Sequence, residues 1–270
     1  MSIRIVCVAL VHNEDVFVER ALRNVAGFCD RIHVADHMST DRTPEILTRL
    51  AEEYDHLEVV RVSHTRQSHE LVAGYAGTDT WVLGLDGDEL YDPARLAGFR
   101  EELQAGAYRD FFQLRSNALN CVELDLERRV AGGYLAPPSR SVTKLWNCAA
   151  FDSWTRCLRQ YMHDGDIAFR SGYDRNRTTH LGESHTWEET PLRCLHVCFL
   201  RRSSLSPNGE GSRLSPIELG GKRRVAPRGL VQLAHRFRPS VPLGSAWKQE
   251  KYRRGQLVTK DAAPFVAPPV

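Results

Sequence analysis

The chain has 270 residues, 42% hydrophobic and 26% charged, with 36 Lys and Arg against 34 Asp and Glu. That composition describes an ordinary globular protein and excludes a disulfide-stapled mini-protein, a collagen-like fibre and a mostly disordered chain. The length admits one large α/β domain, or a domain of roughly 200 residues with an extension.

No run approaches the ~18 apolar residues of a membrane-spanning helix, and the apolar run 5–11 is short, without a cleavable flank. The expected location is therefore cytoplasmic. Seven scattered cysteines, Cys7, Cys29, Cys121, Cys148, Cys157, Cys194 and Cys198, offer no disulfide framework and read as reduced, buried small hydrophobes. A net charge of +2 gives no signal for nucleic acid, but residues 201–260 hold 14 Lys and Arg against three Asp and Glu.

The first half alternates strand and helix. Residues 3–11 form a nearly continuous aliphatic run, the signature of a strand buried on both faces of a parallel sheet. In 15–28, apolar residues recur at Val18, Ala21, Leu22, Val25 and Phe28, a helical spacing. A second strand is predicted over 31–36 and a helix over 43–54, with Ser39 or Asp41 placed to cap it and Pro44 in its first turn. A third strand spans 57–62, a helix 68–75, a fourth strand 81–85 and a helix 94–104. Repeated strand-helix-strand units imply parallel strands with right-handed crossovers, hence a doubly wound sheet with helices on both faces. Ligands of such sheets sit beyond the carboxyl ends of the strands. There lie 12–14, 36–41 and 86–89.

The second half is less regular. Strands are predicted over 110–114, 142–146 and 193–200; residues 203–229, rich in Ser, Gly, Pro and Arg, read as a mobile loop, and 262–270 as an unstructured tail.

Asp86 and Asp88, two apart at a strand end, can point to one side, and Gly87 between them lets a ligand approach the backbone. Two carboxylates that close repel unless a cation or shared proton compensates them, which fits a hard ion such as Mn²⁺ or Mg²⁺; the plainer reading is a polar Asp-Gly turn. Asp36 can accept hydrogen bonds from a nucleotide's base or ribose, or merely cap the next helix. The absence of a Gly-x-Gly-x-x-Gly after the first strand, and of a Gly-Lys-Ser/Thr loop, argues against dinucleotide oxidoreductases and P-loop kinases.

Together, Val11-His12-Asn13-Glu14, Asp36-x-x-Ser-Thr-Asp-x-Thr43 and Leu85-Asp86-Gly87-Asp88-Glu89 resemble the pattern of glycosyltransferase family 2 on the GT-A fold, clearly over residues 3–95. The resemblance implies a Rossmann-like, mostly parallel sheet and transfer of a sugar from a nucleotide-diphosphate sugar to an acceptor hydroxyl, a hexosyltransferase-like reaction with inversion. It implies that Val11, His12 and Glu14 line the nucleotide, that Asp36 bonds its base or ribose, that Asp86 faces the ribose or metal, and that Asp88 binds the Mn²⁺ or Mg²⁺ bridging the diphosphate. On that reading Asp88→Ala abolishes metal-dependent nucleotide binding and leaves the fold intact. His37-Met38 departs from the small pair usual after the Asp.

Related transferases often carry a late His that completes the metal site, and His196 is the candidate here. Strand spacing puts Cys194, His196 and Cys198 on one face, so a buried structural histidine and a cramped zinc site stay open beside the metal ligand. The base that takes the acceptor proton is sought in 163–166 and 183–189, with Asp164 or Glu188 as candidates, and Trp154 or Trp187 could stack on a sugar or belong to the core. Arg201, Arg202, Arg213 and Lys222-Arg223-Arg224 could neutralise the diphosphate, dock on an anionic lipid headgroup, or form a solvated loop.

The expected organisation is a transferase domain over 1–200, its nucleotide-binding half at 1–95 and acceptor-side half at 96–200, with a basic, partly mobile extension at 201–270. The acceptor is a hydroxyl-bearing small molecule, glycan or lipid-linked molecule; no nucleic acid and no membrane span are expected, and peripheral membrane contact stays open. The alternatives are a nucleotidyltransferase that makes sugar nucleotides, which normally has a Gly-rich basic loop after the first strand, and a non-catalytic nucleotide- or glycan-binding protein.

Overall fold

The computed structural model describes residues 3–141, 144–205 and 251–266. Seven of the eight residues of β1 (Arg4–Val11) are buried, because β2 (Arg31–Asp36) and β4 (Thr80–Asp86) pair with it in parallel on its two sides. Alternation along the strand sends Ile5, Cys7, Ala9 and Val11 into one cluster and Val6, Val8 and Leu10 into another.

Three helices cover the first face: α1 (Val18–Ala26), α2 (Thr43–Glu53) and α4 (Pro93–Gln104). Asp92 caps α4, its Oδ1 accepting the N–H groups of Ala94 and Arg95 at 3.0 and 3.2 Å, while Pro93 sits where an N–H would have no helical partner. The second face is covered by α3 (Gln67–Glu70) and the antiparallel hairpin of β10 (Phe151–Thr155) and β11 (Asp166–Phe169), with Val72, Trp146, Trp154 and Tyr161 filling the space.

With β3 (Leu57–Arg61), β6 (Gln113–Arg115), β9 (Lys144–Asn147) and β12 (Thr178–His180), the main sheet runs β12-β6-β9-β4-β1-β2-β3. Only β9 runs against its neighbours. The expected mostly parallel sheet with helices on both faces is thus present, and its order reverses between β1 and β4. A second sheet, β14-β8-β7-β13-β5, comprises β5 (Glu89–Tyr91), β7 (Asn117–Asp125), β8 (Val130–Ala136), β13 (Arg193–His196) and β14 (Leu257–Asp261).

Several expectations change here. The helix expected over 68–75 is α3 followed by a separate 3₁₀ turn at Ala73–Tyr75, where Gly74 weakens helical continuation. The strand expected over 193–200 ends at His196, because Val197 turns to donate its N–H to the Asp88 carbonyl at 2.9 Å. The long β7–β8 hairpin was not expected: Asn117 and Asn120 break its apolar pattern, and its register shifts between Cys121 and Glu123. The tail expected over 262–270 contains α6 (Ala263–Val266), since Ala262, Phe265 and Val266 bury against Trp187 and Leu195 of the second sheet's core. None of the seven cysteines forms a disulfide and all but Cys157 are buried; burial raises the Cys157 thiol to about 12, an inert rather than reactive setting.

Candidate active site

The register of the sheet gathers the three motif-bearing turns. Val11 lies opposite Asp36, and Leu10 opposite Asp86, so the turns after β1, β2 and β4 emerge side by side at the point where the sheet order reverses. Asn13 and Met38 both take left-handed backbone (φ 52° and 55°), which bends the turns toward one another. Side chains stitch them: Asn13 Oδ1 accepts the Thr40 N–H at 2.8 Å, Asn13 N–H donates to Ser39 Oγ at 3.0 Å, and Asp36 Oδ1 accepts the Ser39 N–H at 3.0 Å. Glu14 N–H donates to Thr43 Oγ1 at 2.9 Å.

Neither Ser39 nor Asp41 is the N-cap of α2, which is Arg42, without a side-chain cap. Asp41 instead accepts the Thr43 N–H at 2.9 Å and the Ser203 hydroxyl at 2.6 Å. Burial pushes its carboxyl up, but those hydrogen bonds outweigh burial and hold it below the usual carboxylate range.

Asp86 closes β4, accepting the Tyr161 hydroxyl at 2.7 Å on Oδ1 while its own N–H donates to Glu89 Oε2 at 3.2 Å. Tyr161 OH also accepts the Leu10 N–H at 3.0 Å, so one phenol ties the ends of β1 and β4 together. Gly87 also has a packing role. A Cβ there would collide with the Glu14 carboxylate and lie 3.2 Å from Val11 Cγ1. Asp88 is completely buried, and Arg202 Nη1 lies 2.7 Å from its Oδ2 and 3.1 Å from Glu14 Oε1.

His196 stands on β13 with Nδ1 2.7 Å from Asn120 Oδ1. The amide oxygen accepts, so Nδ1 carries a proton, and the ring's Nε2 lies 3.9 Å from Asp88 Oδ2. Two carboxylates and an oriented imidazole are the right kinds of donor for Mn²⁺ or Mg²⁺. The arrangement does not fit such an ion, however, because a guanidinium lies on Asp88, and among the described residues no three His, Cys, Asp or Glu side chains are grouped to hold a metal.

Of the other candidates, Val11 is buried under Gly87, and His12 Nδ1 donates to the His37 carbonyl at 2.6 Å, its ring 5.6 Å from that of His37. Asp164 Oδ1 accepts the N–H groups of Leu158 and Arg159 at 3.0 and 3.1 Å, shaping its own loop. Exposed Glu188 pairs at 2.8 Å with Lys260 on β14, which β8 and β7 separate from β13; the Lys260 hydrogen bond holds its carboxyl low. Trp154 is core, packed on Phe112 and Phe151, and Trp187 lies against Phe265 and Arg193. Arg213 and Lys222-Arg223-Arg224 fall outside the described residues.

Residues 7–121 match the family model described as glycosyl transferase family 2. This segment belongs to that family. The matched segment runs from within β1 to within β7 and contains all three motif-bearing turns. Curated proteins gave no match to the chain. Among solved structures, a mannosyltransferase from Pyrobaculum calidifontis, in complex with GDP-mannose and Mn²⁺, is 20% identical with a TM-score of 0.33. The match covers 46% of this chain and 36% of the mannosyltransferase, so the chain spans about a third of that protein. A 4-diphosphocytidyl-2C-methyl-D-erythritol synthase from Anaerococcus prevotii is 15% identical, covering 54% of this chain and 70% of its own, with a TM-score of 0.34. A mycobacterial protein is 12% identical over 72% of this chain and 65% of its own, with a TM-score of 0.39. These likenesses assign nothing to the site.

Tyr161 and Arg202 were not expected as partners of the carboxylates, nor Asn120 as the partner of His196. They lie 75, 114 and 76 residues away from the groups they hold, beyond the reach of any local spacing.

Proposed function

We propose that the protein transfers a sugar from a nucleotide-diphosphate sugar to an acceptor hydroxyl, with the donor bound at the carboxyl ends of β1, β2 and β4. The supporting observation is the convergence there of 12–14, Asp36 and 86–89 within the segment that matches glycosyl transferase family 2. Residues 12–15 supply no Gly-rich basic loop after β1, which favours transfer over synthesis of the sugar nucleotide.

In this reading Asp36 accepts from the base or ribose, since a carboxylate bonded to one N–H retains acceptor capacity. Its orientation is fixed in advance by Ser39, so little ordering accompanies donor binding. The acceptor oxygen attacks the anomeric carbon, the bond from that carbon to the phosphate oxygen breaks, and the diphosphate leaves with the electron pair; a single displacement inverts the centre. Asp164 and Glu188 are the candidate takers of the acceptor's proton, each identified by loss of transfer with retained nucleotide binding in its alanine variant. The leaving diphosphate enters a region with the carboxylates of Glu14, Asp86, Asp88 and Glu89, so cationic compensation is required there. The cytoplasm is the proposed location, and among the described residues no helix is long and apolar enough to cross a membrane.

The test is release of nucleoside diphosphate from UDP-, GDP-, dTDP-, CDP- and ADP-sugars with simple glycan acceptors. Turnover of one donor class by the wild type, reduced about a hundredfold or more in Asp36→Ala, is expected. Turnover unaffected by that substitution would remove Asp36 from the donor site.

A further inference from the structure

Arg202 lies six residues beyond β13 and reaches back to the ends of β1 and β4. Its side chain is 4% exposed, and those of Glu14 and Asp88 are 1% and 0% exposed. The neighbouring backbone and side chains hold it there. Its carbonyl accepts the Val16 N–H at 3.0 Å, Ser203 Oγ donates to Asp41 Oδ2 at 2.6 Å, and Ser204 N–H donates to Asp15 Oδ1 at 2.7 Å. Ser204 Oγ donates to the other oxygen of Asp15. The backbone and serines of 202–204 are thereby fastened to two of the three motif-bearing turns, those after β1 and β2.

A guanidinium and a divalent ion cannot share one buried carboxylate oxygen, because two cations a few Å apart repel strongly where water is excluded. We propose that Arg202 is the resident counter-cation of Asp88 and Glu14, and that the strap of residues 202–205 competes with a divalent cation for Asp88. A cation binds at Asp88 only as Arg202 withdraws, and withdrawal loosens the strap from the turns at 12–17 and 37–42. The functional meaning rests on the reading of these strand ends as the donor site; the competition itself does not.

The experiment titrates Mn²⁺ alone into the full chain and follows free Mn²⁺ by electron paramagnetic resonance. Arg202→Gln is expected to bind Mn²⁺ about tenfold tighter than the wild type, and Arg202→Lys to stay within about threefold of it. The gain should vanish in Arg202→Gln combined with Asp88→Asn. Unchanged or weaker binding by Arg202→Gln, or a gain that survives loss of the Asp88 charge, overturns the proposal. If Arg202→Gln does not fold, Ser203→Ala with Ser204→Ala leaves every charged group in place and loosens only the strap. About threefold tighter binding is then expected, and wild-type affinity overturns the proposal. No nucleotide or sugar enters the titration, so absence of sugar transfer would refute the function without touching this result.

Discussion

Burial changes what a substitution at Asp88 reports. From sequence the residue is a metal-binding carboxylate just past a strand end, and its alanine variant is expected to lose metal-dependent nucleotide binding and keep the fold. In the structure it is the buried partner of Arg202, so Asp88→Ala leaves the guanidinium with Glu14 alone and should destabilise the fold, by less than the about 3–5 kcal/mol of a fully stranded buried charge. Asp88→Asn should cost less, and urea unfolding compares the two. Gly87→Ala should cost about 1–3 kcal/mol by forcing Glu14 aside, with no ligand involved. His180 gives a pH signature. Burial, the leading cause, lowers its pKa, and its Nδ1 accepts the Gly182 N–H as the cap of α5 (Leu181–Ser184), which only the unprotonated ring can do. The unfolded chain therefore binds more protons, so this contribution is complete above the unfolded pKa near 6.5 and declines as pH falls through that value toward the folded one. The melting temperature should fall between about pH 7 and pH 5, and His180→Asn, which keeps an acceptor, should flatten part of that fall. The strand-end acids were legible one by one because a strand's end marks where its next polar residues go. Their partners were not, since Tyr161 and Arg202 arrive through tertiary packing.

Elements were legible where one periodicity ran unbroken. The aliphatic run of β1 and the three-and-four spacing of α1 each have one physical explanation, burial on two faces or on one. β7 does not, because its asparagines have structural work: Asn120 holds His196, and Asn117 Nδ2 donates to Thr190 Oγ1 at 3.2 Å. α6 was hidden by brevity, being four residues whose burial depends on Trp187 and Leu195 from elsewhere. Phe265→Ala should lower stability by about 3–5 kcal/mol in chemical unfolding, a loss no loose tail would show. Asp92 shows how one residue serves two elements, capping α4 and pairing with Arg193 at 2.7 Å in a buried site. Asp92→Ala removes both and should exceed the ~1 kcal/mol of a lost cap by the cost of a stranded Arg193, measured against Asp92→Asn.

At the scale of the whole molecule, two sheets meet along the β4–β5 segment. The sequence Asp86 to Glu89 leaves the main sheet and enters the second within three residues, carrying its carboxylates across the junction. That places Asp86 under Tyr161 from one side and Asp88 beside His196 from the other. The main sheet could be read in advance; the second could not, because its strands come from 89–91, 117–136, 193–196 and 257–261. The most direct measurement is the melting temperature with UDP, GDP, dTDP, CDP and ADP, each with Mn²⁺ and with EDTA, on the wild type and Asp36→Ala. A nucleotide at about 100 times its dissociation constant adds roughly 2.7 kcal/mol, a rise of several degrees. The expected result is a rise with one nucleotide that Asp36→Ala loses; no rise with any of the five, or a rise that Asp36→Ala retains in full, would contradict a donor site at the ends of β1, β2 and β4.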